Sequence, residues 1–202
     1  MSDAAEQLLL LEKLQVFKIQ GRDKLGRRIL RVIGKFFPAR IVSVDVVKRY
    51  LEEKIYRALE SGGPFSVLYI HTGVDRSENF PGIAALRSIY EAVPVDVKNN
   101  LEAVYFVHPD LHARLFLATV GRLMFNSRLY GKVRYASRLD TVWREHVRRS
   151  EVELPEFVYE HDEELEYHPM MDYGIESDHP RVYYGAPSVD SPVAMYSMRC
   201  IS

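Results

Sequence analysis

The chain has 202 residues, of which 47% are hydrophobic and 27% charged, proportions typical of one water-soluble domain and not of a disordered or fibrous protein. A formal net charge of −1 argues against a surface that holds nucleic acid by counterion release. Cys200, the only cysteine, excludes an intramolecular disulfide and a zinc site built on several thiolates, so we expect a reducing, cytoplasmic environment.

Charge divides the chain into a basic body and an acidic tail. Residues 1–162 carry 25 Lys and Arg against 21 Asp and Glu, whereas residues 163–202 carry 2 against 7. We interpret residues 1–14 as an N-terminal helix, residues 15–162 as the domain, and residues 163–202 as an irregular tail rich in tyrosine and proline. The composition leaves two alternatives open for this tail, a segment that orders against the body and a loose acidic one.

The first predicted elements are a helix and a hairpin. Asp3 and Glu6 form a D-x-x-E capping pattern ahead of the apolar residues 8–11, a run too short for a signal peptide or a membrane span. Residues 16–20 and 28–32 have β-compatible composition and flank a polar, glycine-containing turn. This pattern predicts two antiparallel strands.

Alternating helices and buried strands are predicted after the hairpin. Apolar residues recur at helical spacing over residues 43–60, and Gly62 and Gly63 end that helix before the apolar strand FSVLYIH at residues 65–71. A similar order then repeats, with helices predicted at residues 83–93, 111–125 and 139–148 and strands at residues 101–107 and 132–136. Strands separated by helices indicate an α/β fold with a mostly parallel sheet flanked by helices.

A histidine stands at the carboxyl end of two of the predicted strands. The sequence has no G-x-S-x-G, H-E-x-x-H or P-loop motif, so His71 and His108 stand without a recognisable nucleophile, and a structural role is favoured over acid–base catalysis. His108-Pro109-Asp110 also occurs in J-domain co-chaperones, but a strand leads into it here, which favours a strand-to-helix corner. His161, Asp162 and His168 fit no metal-ligand spacing and are interpreted as a solvated acidic run, and no metal is expected.

Residues 111–125 (LHARLFLATVGRLMF) form the most unusual predicted helix because both of its sides are apolar. A single sheet cannot cover both sides, so the pattern predicts a helix, a partner protein or a lipid chain on the outer one. Basic residues around it suit either an anionic membrane surface in a peripheral association or a solubilising rim. One side carries Leu111, Leu115 and Ala118, the other carries Phe116, Val120, Leu123 and Met124, and the basic residues are Arg114, Arg122 and Arg128.

Several segments together resemble a known lipid-binding family. They are GRDKLGRR at residues 21–28, FSVLYIH followed by Thr72 and Gly73, LEAVYFVHPDLHARLF at residues 101–116, and GKVRYASRLDTVWREHV at residues 131–147. In this order they resemble the CRAL-TRIO domain, and more closely its divergent branch. That branch includes the BCH domain of Rho GTPase-activating proteins and the C-terminal domain of ganglioside-induced differentiation-associated proteins.

The resemblance implies an α/β sandwich with an apolar cavity, closed by a mobile gate helix at residues 111–125, and no covalent chemistry or cofactor. Lys132 matches the basic residue that contacts the headgroup in phosphatidylinositol-binding members, whereas only Asp96 lies near the expected position of the acidic one. The residues implied for lipid binding are Phe65, Val67, Tyr69, Val104, Phe106, Leu115, Phe116, Val120, Met124 and Lys132.

Three hypotheses follow for function. The first is a non-enzymatic module that binds or transfers a phospholipid or another hydrophobic ligand. The second is a protein-interaction scaffold for small GTPases or their regulators, as the resemblance to BCH domains implies. The third is an enzyme that uses His71 or His108.

Overall fold

The computed structural model describes residues 3–125 and 127–167, and a five-stranded sheet forms its centre. The strands lie in chain order across the sheet, with β1 and β2 antiparallel and every later pair parallel. This confirms the predicted fold class. The strands are β1 (Phe17–Arg22), β2 (Arg28–Ile33), β3 (Phe65–Ile70), β4 (Leu101–Val107) and β5 (Val133–Ala136).

The hairpin between β1 and β2 is closed by one buried carboxylate. Asp23 accepts hydrogen bonds from the backbone N–H groups of Leu25 and Arg27, from the Arg27 guanidinium at 2.6 Å, and from the Ser66 hydroxyl at 2.8 Å. Gly26 has a φ of +79°, a conformation that favours glycine in this turn. Because Ser66 belongs to β3, the same carboxylate also ties the hairpin to the centre of the sheet.

Helices surround the sheet, and no helix in the two described ranges is both long and apolar enough to span a bilayer. Two of them, α2 and α6, contain a π-helical stretch. The helices are α1 (Ala4–Leu14), α2 (Val44–Tyr50, Leu51–Tyr56, Arg57–Glu60), α3 (Arg76–Asn79), α4 (Ile83–Glu91), α5 (Val95–Asn100), α6 (Leu111–Phe116, Leu117–Gly121, Arg122–Met124), α7 (Ser127–Tyr130), α8 (Leu139–Glu145) and α9 (Glu156–Tyr167), with 3₁₀ turns at Gly34–Phe36 and Arg149–Glu151.

Strand order decides which helices cover which face of the sheet. From β2 onward each strand lies beside the one before it, so right-handed crossovers place α2 and α4 to α6 on the same face. The opposite face is covered by helices α8 and α9, which follow β5, through buried residues that include Leu139, Val142 and Val158.

The predicted long helices and all five strands are confirmed, whereas α3, α5, α7 and α9 were not predicted. Helix α9 runs past residue 162, where the acidic tail was expected to begin. Its apolar side is marked by Val158 and Leu165, seven residues apart and both buried, and the many acidic residues between them obscure that period. The predictions for residues 168–202, including His168, lie outside the described residues.

Candidate functional site

A cavity of about 650 Å³ lies between the sheet and helices α4 and α6. Strands β2 to β5 form its floor, and the two helices and the chain leading into α4 form its walls. Its volume falls in the range of about 300–1,000 Å³ typical of small-ligand pockets. The floor consists of Val32, Val67, Tyr69, Val104, Phe106 and Val133, and the walls include Phe80, Leu86, Ile89, Phe116 and Val120.

The side chains of β3 point alternately to the two faces of the sheet, and the difference in their burial shows how the cavity arises. Leu68 and Ile70 point away from the cavity and are 0% exposed, because α8 and α9 pack closely on that face. Val67 and Tyr69 point the other way and are only half-buried. An apolar strand packed on both faces would leave neither set accessible. The helices on the cavity side therefore stand away from the centre of the sheet.

Helix α6 lies over this cavity. Its first turn is capped by Asp110, whose carboxylate accepts the Ala113 N–H at 2.6 Å. Its inner side carries Phe116 and Val120 into the cavity, and the Phe116 ring meets Phe80 edge-on at 5.7 Å between centroids. The structure thus places Phe116 and Val120 over the cavity, but grouping Leu123 on the same side was wrong, since Leu123 lies outside the lining and is 90% exposed. The π-helical turn Leu117–Gly121 rotates the residues that follow it away from the side predicted for a regular α-helix.

The outer side of α6 remains apolar and exposed. Leu115 is 54% exposed and Leu123 is 90% exposed, although Leu115 also reaches the rim of the cavity. In the middle of the helix the π-helical Leu117–Gly121 interrupts the α-helical hydrogen-bond pattern, a feature frequent at functional sites. Within the described chain, nothing covers Leu123.

A second cavity of about 300 Å³ adjoins the first near the amino-terminal edge of β3 and β4, and Val67 and Val104 line both. Three cations line or border it, named here the basic end: Lys98, Arg128 and Lys132. The Lys132 ammonium donates to the Leu101 carbonyl, Lys98 donates to the Glu91 carbonyl at 3.3 Å, and Arg128 donates to the Asn99 amide oxygen at 3.2 Å. These partners are neutral, so the basic end keeps its positive charge.

The other end of the large cavity is polar but not basic. Tyr69, His71 and Asp110, named here the polar end, line the cavity where β3 and β4 end. The Tyr69 hydroxyl lies 3.5 Å from His71 Nδ1, and His71 Nε2 lies 3.6 Å from an Asp110 carboxylate oxygen. Burial, and then the Asp110 charge, raise the pKa of Tyr69, so the phenol stays neutral. The His71 contact and the Ala113 N–H hold the pKa of Asp110 below its usual value.

His108 belongs to a separate, buried network. Its Nδ1 lies 2.7 Å from the Thr72 hydroxyl and its Nε2 lies 2.9 Å from Asp162 of α9. The series Thr–His–Asp has the composition of a nucleophilic triad. However, Thr72 is 3% exposed and the His108 side chain 0% exposed, so a substrate has no access to either.

Asp162 corrects one expectation from the sequence. Interpreting it as part of a solvated acidic run was wrong, since it is half-buried and accepts hydrogen bonds from His108 and from the Leu139 N–H at 2.7 Å. Burial acts to raise the pKa of Asp162, but these two hydrogen bonds together with nearby charge, including that of Arg138, outweigh it and leave the pKa below its usual value. Over residues 3–125 and 127–167 no three metal-ligating side chains form a cluster.

Most residues singled out in the sequence line one of the two cavities, although their roles stay predictions. Met124 is half-buried but outside both linings. Arg114 turns inward and donates to the Pro109 carbonyl and the Ser137 hydroxyl, while Arg122 and Arg128 are exposed. The residues that line a cavity are Phe65, Val67, Tyr69, Val104, Phe106, Leu115, Phe116, Val120, Arg128 and Lys132.

Sequence reasoning missed the polar end and the wall formed by α4. His71 was noticed only as a strand-end histidine and Asp110 only as a residue at a helix start, because nothing local shows that they meet. Leu86 and Ile89 lie three residues apart on α4, a spacing that already indicated one apolar side. It did not indicate that this side would face a cavity.

Comparison with known proteins gives a consistent match. The sequence pattern of the divergent CRAL/TRIO domain matches residues 26–164. The chain is 26% identical over 142 residues to the Protein GDAP2 homolog of Drosophila melanogaster, covering 70% of the chain and 25% of that protein. It is 28% identical over 155 residues to Rho GTPase-activating protein 1 of Homo sapiens, and the match covers 75% of the chain and 34% of that protein. The identity to ganglioside-induced differentiation-associated protein 2 of Xenopus tropicalis is 26% over 160 residues, and the match covers 78% of the chain and 31% of that protein. The matched region therefore spans about a quarter to a third of these relatives.

Proposed function

The chain belongs to the divergent CRAL/TRIO domain family, and on that premise we propose that it binds a lipid or another hydrophobic ligand without covalent chemistry. The observation that supports this most is the cavity of about 650 Å³ beneath α6, whose floor and walls are almost wholly apolar. Apolar cavities with a few polar groups at defined positions are the usual form of small-ligand sites.

Burial of an acyl chain supplies the binding energy in this proposal. Each buried methylene contributes about 0.8 kcal/mol, whereas association costs about 4–15 kcal/mol. About five to twenty buried methylenes are therefore needed to offset this cost. The floor residues Val67, Val104 and Phe106 offer continuous apolar contact of this kind.

Helix α6 acts as the gate in this proposal. Its inner residues Phe116 and Val120 lose contact with the cavity when it moves, and its outer residues Leu115 and Leu123 are already exposed to meet a membrane. Arg122 and Arg128 are exposed nearby and suit anionic headgroups. Lys132 of the basic end is the proposed contact for a phosphate group, because its present partner is a neutral carbonyl.

A matched pair of substitutions tests the proposal. Val67→Trp fills the point where the two cavities meet, whereas Val95→Trp makes the same change at a position that is 70% exposed and outside both linings. Native mass spectrometry after incubation with phosphatidylcholine–phosphatidylinositol vesicles should show bound lipid in the wild type and in Val95→Trp. Val67→Trp should retain at least tenfold less. Circular dichroism verifies folding, because overpacking costs about 1–3 kcal/mol.

Two results would contradict the proposal. A wild-type protein that carries no lipid after purification and takes none from vesicles would remove lipid binding altogether. Equal uptake by Val67→Trp and Val95→Trp would show that lipid binds elsewhere than in the cavity.

The second candidate is a scaffold that binds a small GTPase, favoured by the similarity to Rho GTPase-activating protein 1. The exposed outer side of α6 is the proposed contact surface. Leu115→Asp should abolish binding of a purified Rho GTPase in a pull-down, whereas Leu25→Asp, at a 76% exposed position in the hairpin turn, should not. Unchanged binding in Leu115→Asp would contradict this role for α6.

A further inference from the structure

The polar end differs in kind from the rest of the large cavity. Tyr69 and His71 rise from the floor on β3, and Asp110 reaches the same point from the start of α6. The His71 side chain is 13% exposed and the Asp110 side chain 52% exposed, so the group runs from the interior to the mouth. A ligand that entered under α6 would place its head against these three side chains.

Hydrogen-bonding capacity at the polar end is only partly used. The two contacts that link the trio measure 3.5 and 3.6 Å, at or beyond the limit of a direct hydrogen bond. No closer side-chain partner of the Tyr69 hydroxyl occurs among residues 3–125 and 127–167. Contacts this long are weak, so the Tyr69 hydroxyl and the Asp110 carboxylate keep hydrogen-bonding capacity for a third group that reaches both of them. A hydroxyl, which donates one hydrogen bond and accepts others, is such a group.

The charges at this end select the type of head group. Asp110 is ionised, so an incoming carboxylate or phosphate is repelled. An ammonium group, or any other ionised head group, loses far more solvation free energy on entering an apolar cavity than a hydroxyl does. A neutral group that both donates and accepts a hydrogen bond avoids both the repulsion and this desolvation cost.

We infer, resting on the proposed function, that the large cavity selects a single-chain lipid with an uncharged hydroxyl head, held between the Tyr69 hydroxyl, His71 and Asp110. The ligand hydroxyl donates to the Asp110 carboxylate and accepts from the Tyr69 phenol. At about 30 Å³ per non-hydrogen atom, the share of a water molecule in the liquid, 650 Å³ holds about 20 such atoms. A long-chain alcohol has this size.

A series of lipids with one chain and different heads tests the inference. Phosphatidylcholine vesicles are loaded with oleyl alcohol, oleylamine or oleic acid, and the lipid bound to the protein is counted by native mass spectrometry. Wild-type protein should retain oleyl alcohol at least tenfold over oleic acid and over oleylamine. Tyr69→Phe and Asp110→Asn should each lower oleyl alcohol retention about tenfold. Tyr135→Phe, at a tyrosine outside both cavity linings, should leave it unchanged.

The outcomes separate this inference from the proposed function. Retention of all three lipids to the same extent, or retention of oleylamine or oleic acid above oleyl alcohol, overturns the inference and leaves lipid binding intact. Uptake of phosphatidylcholine alone has the same meaning. Retention of no lipid of any kind overturns the proposed function as well. Wild-type preference that survives both Tyr69→Phe and Asp110→Asn places the selective contact elsewhere and overturns the assignment of the polar end.

Discussion

Truncation of Asp162 should destabilise the fold strongly because its carboxylate joins α9 to the sheet. One oxygen accepts hydrogen bonds from His108 Nε2 at 2.9 Å and from the Leu139 N–H at 2.7 Å. The His108 side chain is 0% exposed and Leu139 is 2% exposed. Asp162→Ala thus leaves two buried donors unpaired, at about 1–3 kcal/mol each, and we expect the free energy of unfolding to fall by about 2–6 kcal/mol. A domain of this size has about 5–15 kcal/mol in total.

Urea unfolding provides the measurement. Trp143, the single tryptophan, lies on α8 and packs against the core cluster that contains Leu139 and Val158, so its fluorescence reports unfolding of this part of the core. Asp162→Asn keeps the accepting oxygen and should cost about 1 kcal/mol. Glu163→Ala, the adjacent exposed position on α9, should stay within about 0.5 kcal/mol of the wild type. An Asp162→Ala protein as stable as Glu163→Ala would refute the reasoning.

Three further predictions concern the stability of the fold in acid, the substitution of Gly21 compared with Gly26, and the substitution of Gly34. Because the folded-state pKa of Asp162 lies below its ordinary value of 3.8, its ionised form stabilises the fold above that pH, and the contribution is lost as the pH falls through the lowered pKa. Urea unfolding at decreasing pH below 4 should therefore show a smaller loss of stability for Asp162→Asn than for the wild type; equal losses would contradict this. Gly21→Ala should lower the free energy of unfolding by at least about 2 kcal/mol more than Gly26→Ala. Both glycines have a positive φ, so backbone strain is common to the two substitutions. A Cβ at Gly21 would lie 2.2 Å from a backbone oxygen, whereas nothing lies within 4 Å of a Cβ at Gly26. Equal thermal melts would contradict the clash. Gly34→Ala places a Cβ 2.6 Å from the phenol oxygen of the polar end and should lower oleyl alcohol retention about tenfold, whereas unchanged retention would show that this oxygen is not engaged.

The elements of the fold could be predicted because their signals are local. The β3 run from Phe65 to Ile70 is apolar without interruption, and the spacing of apolar residues over residues 44–60 follows a helical turn. Helix α9 escaped prediction because its apolar side has few members, and the burial of Val158 and Leu165 in the folded chain decides it. Its helical period is clear only once the covered face is known.

The candidate site was predictable in part. The family resemblance implied the floor residues Val67 and Val104, and the resemblance together with helical spacing implied Val120 on α6. Helical spacing shows which residues of a helix share an apolar side, but not what that side covers. The inward turn of Arg114 could not be predicted, since its acceptors at Pro109 and Ser137 depend on how α6 meets the end of β5.

The sequence by itself determined the order of the five strands and of the main helices between them, the apolar character of residues 111–124 and the family. Tertiary structure alone decided that a cavity lies below α6, because a gap depends on how far helices stand from a sheet and not on which residues are apolar. It also decided that His108 meets Asp162, 54 residues along the chain, and that His71 meets Asp110. Pairings of this kind depend on the path of the backbone through space, and no local pattern records them.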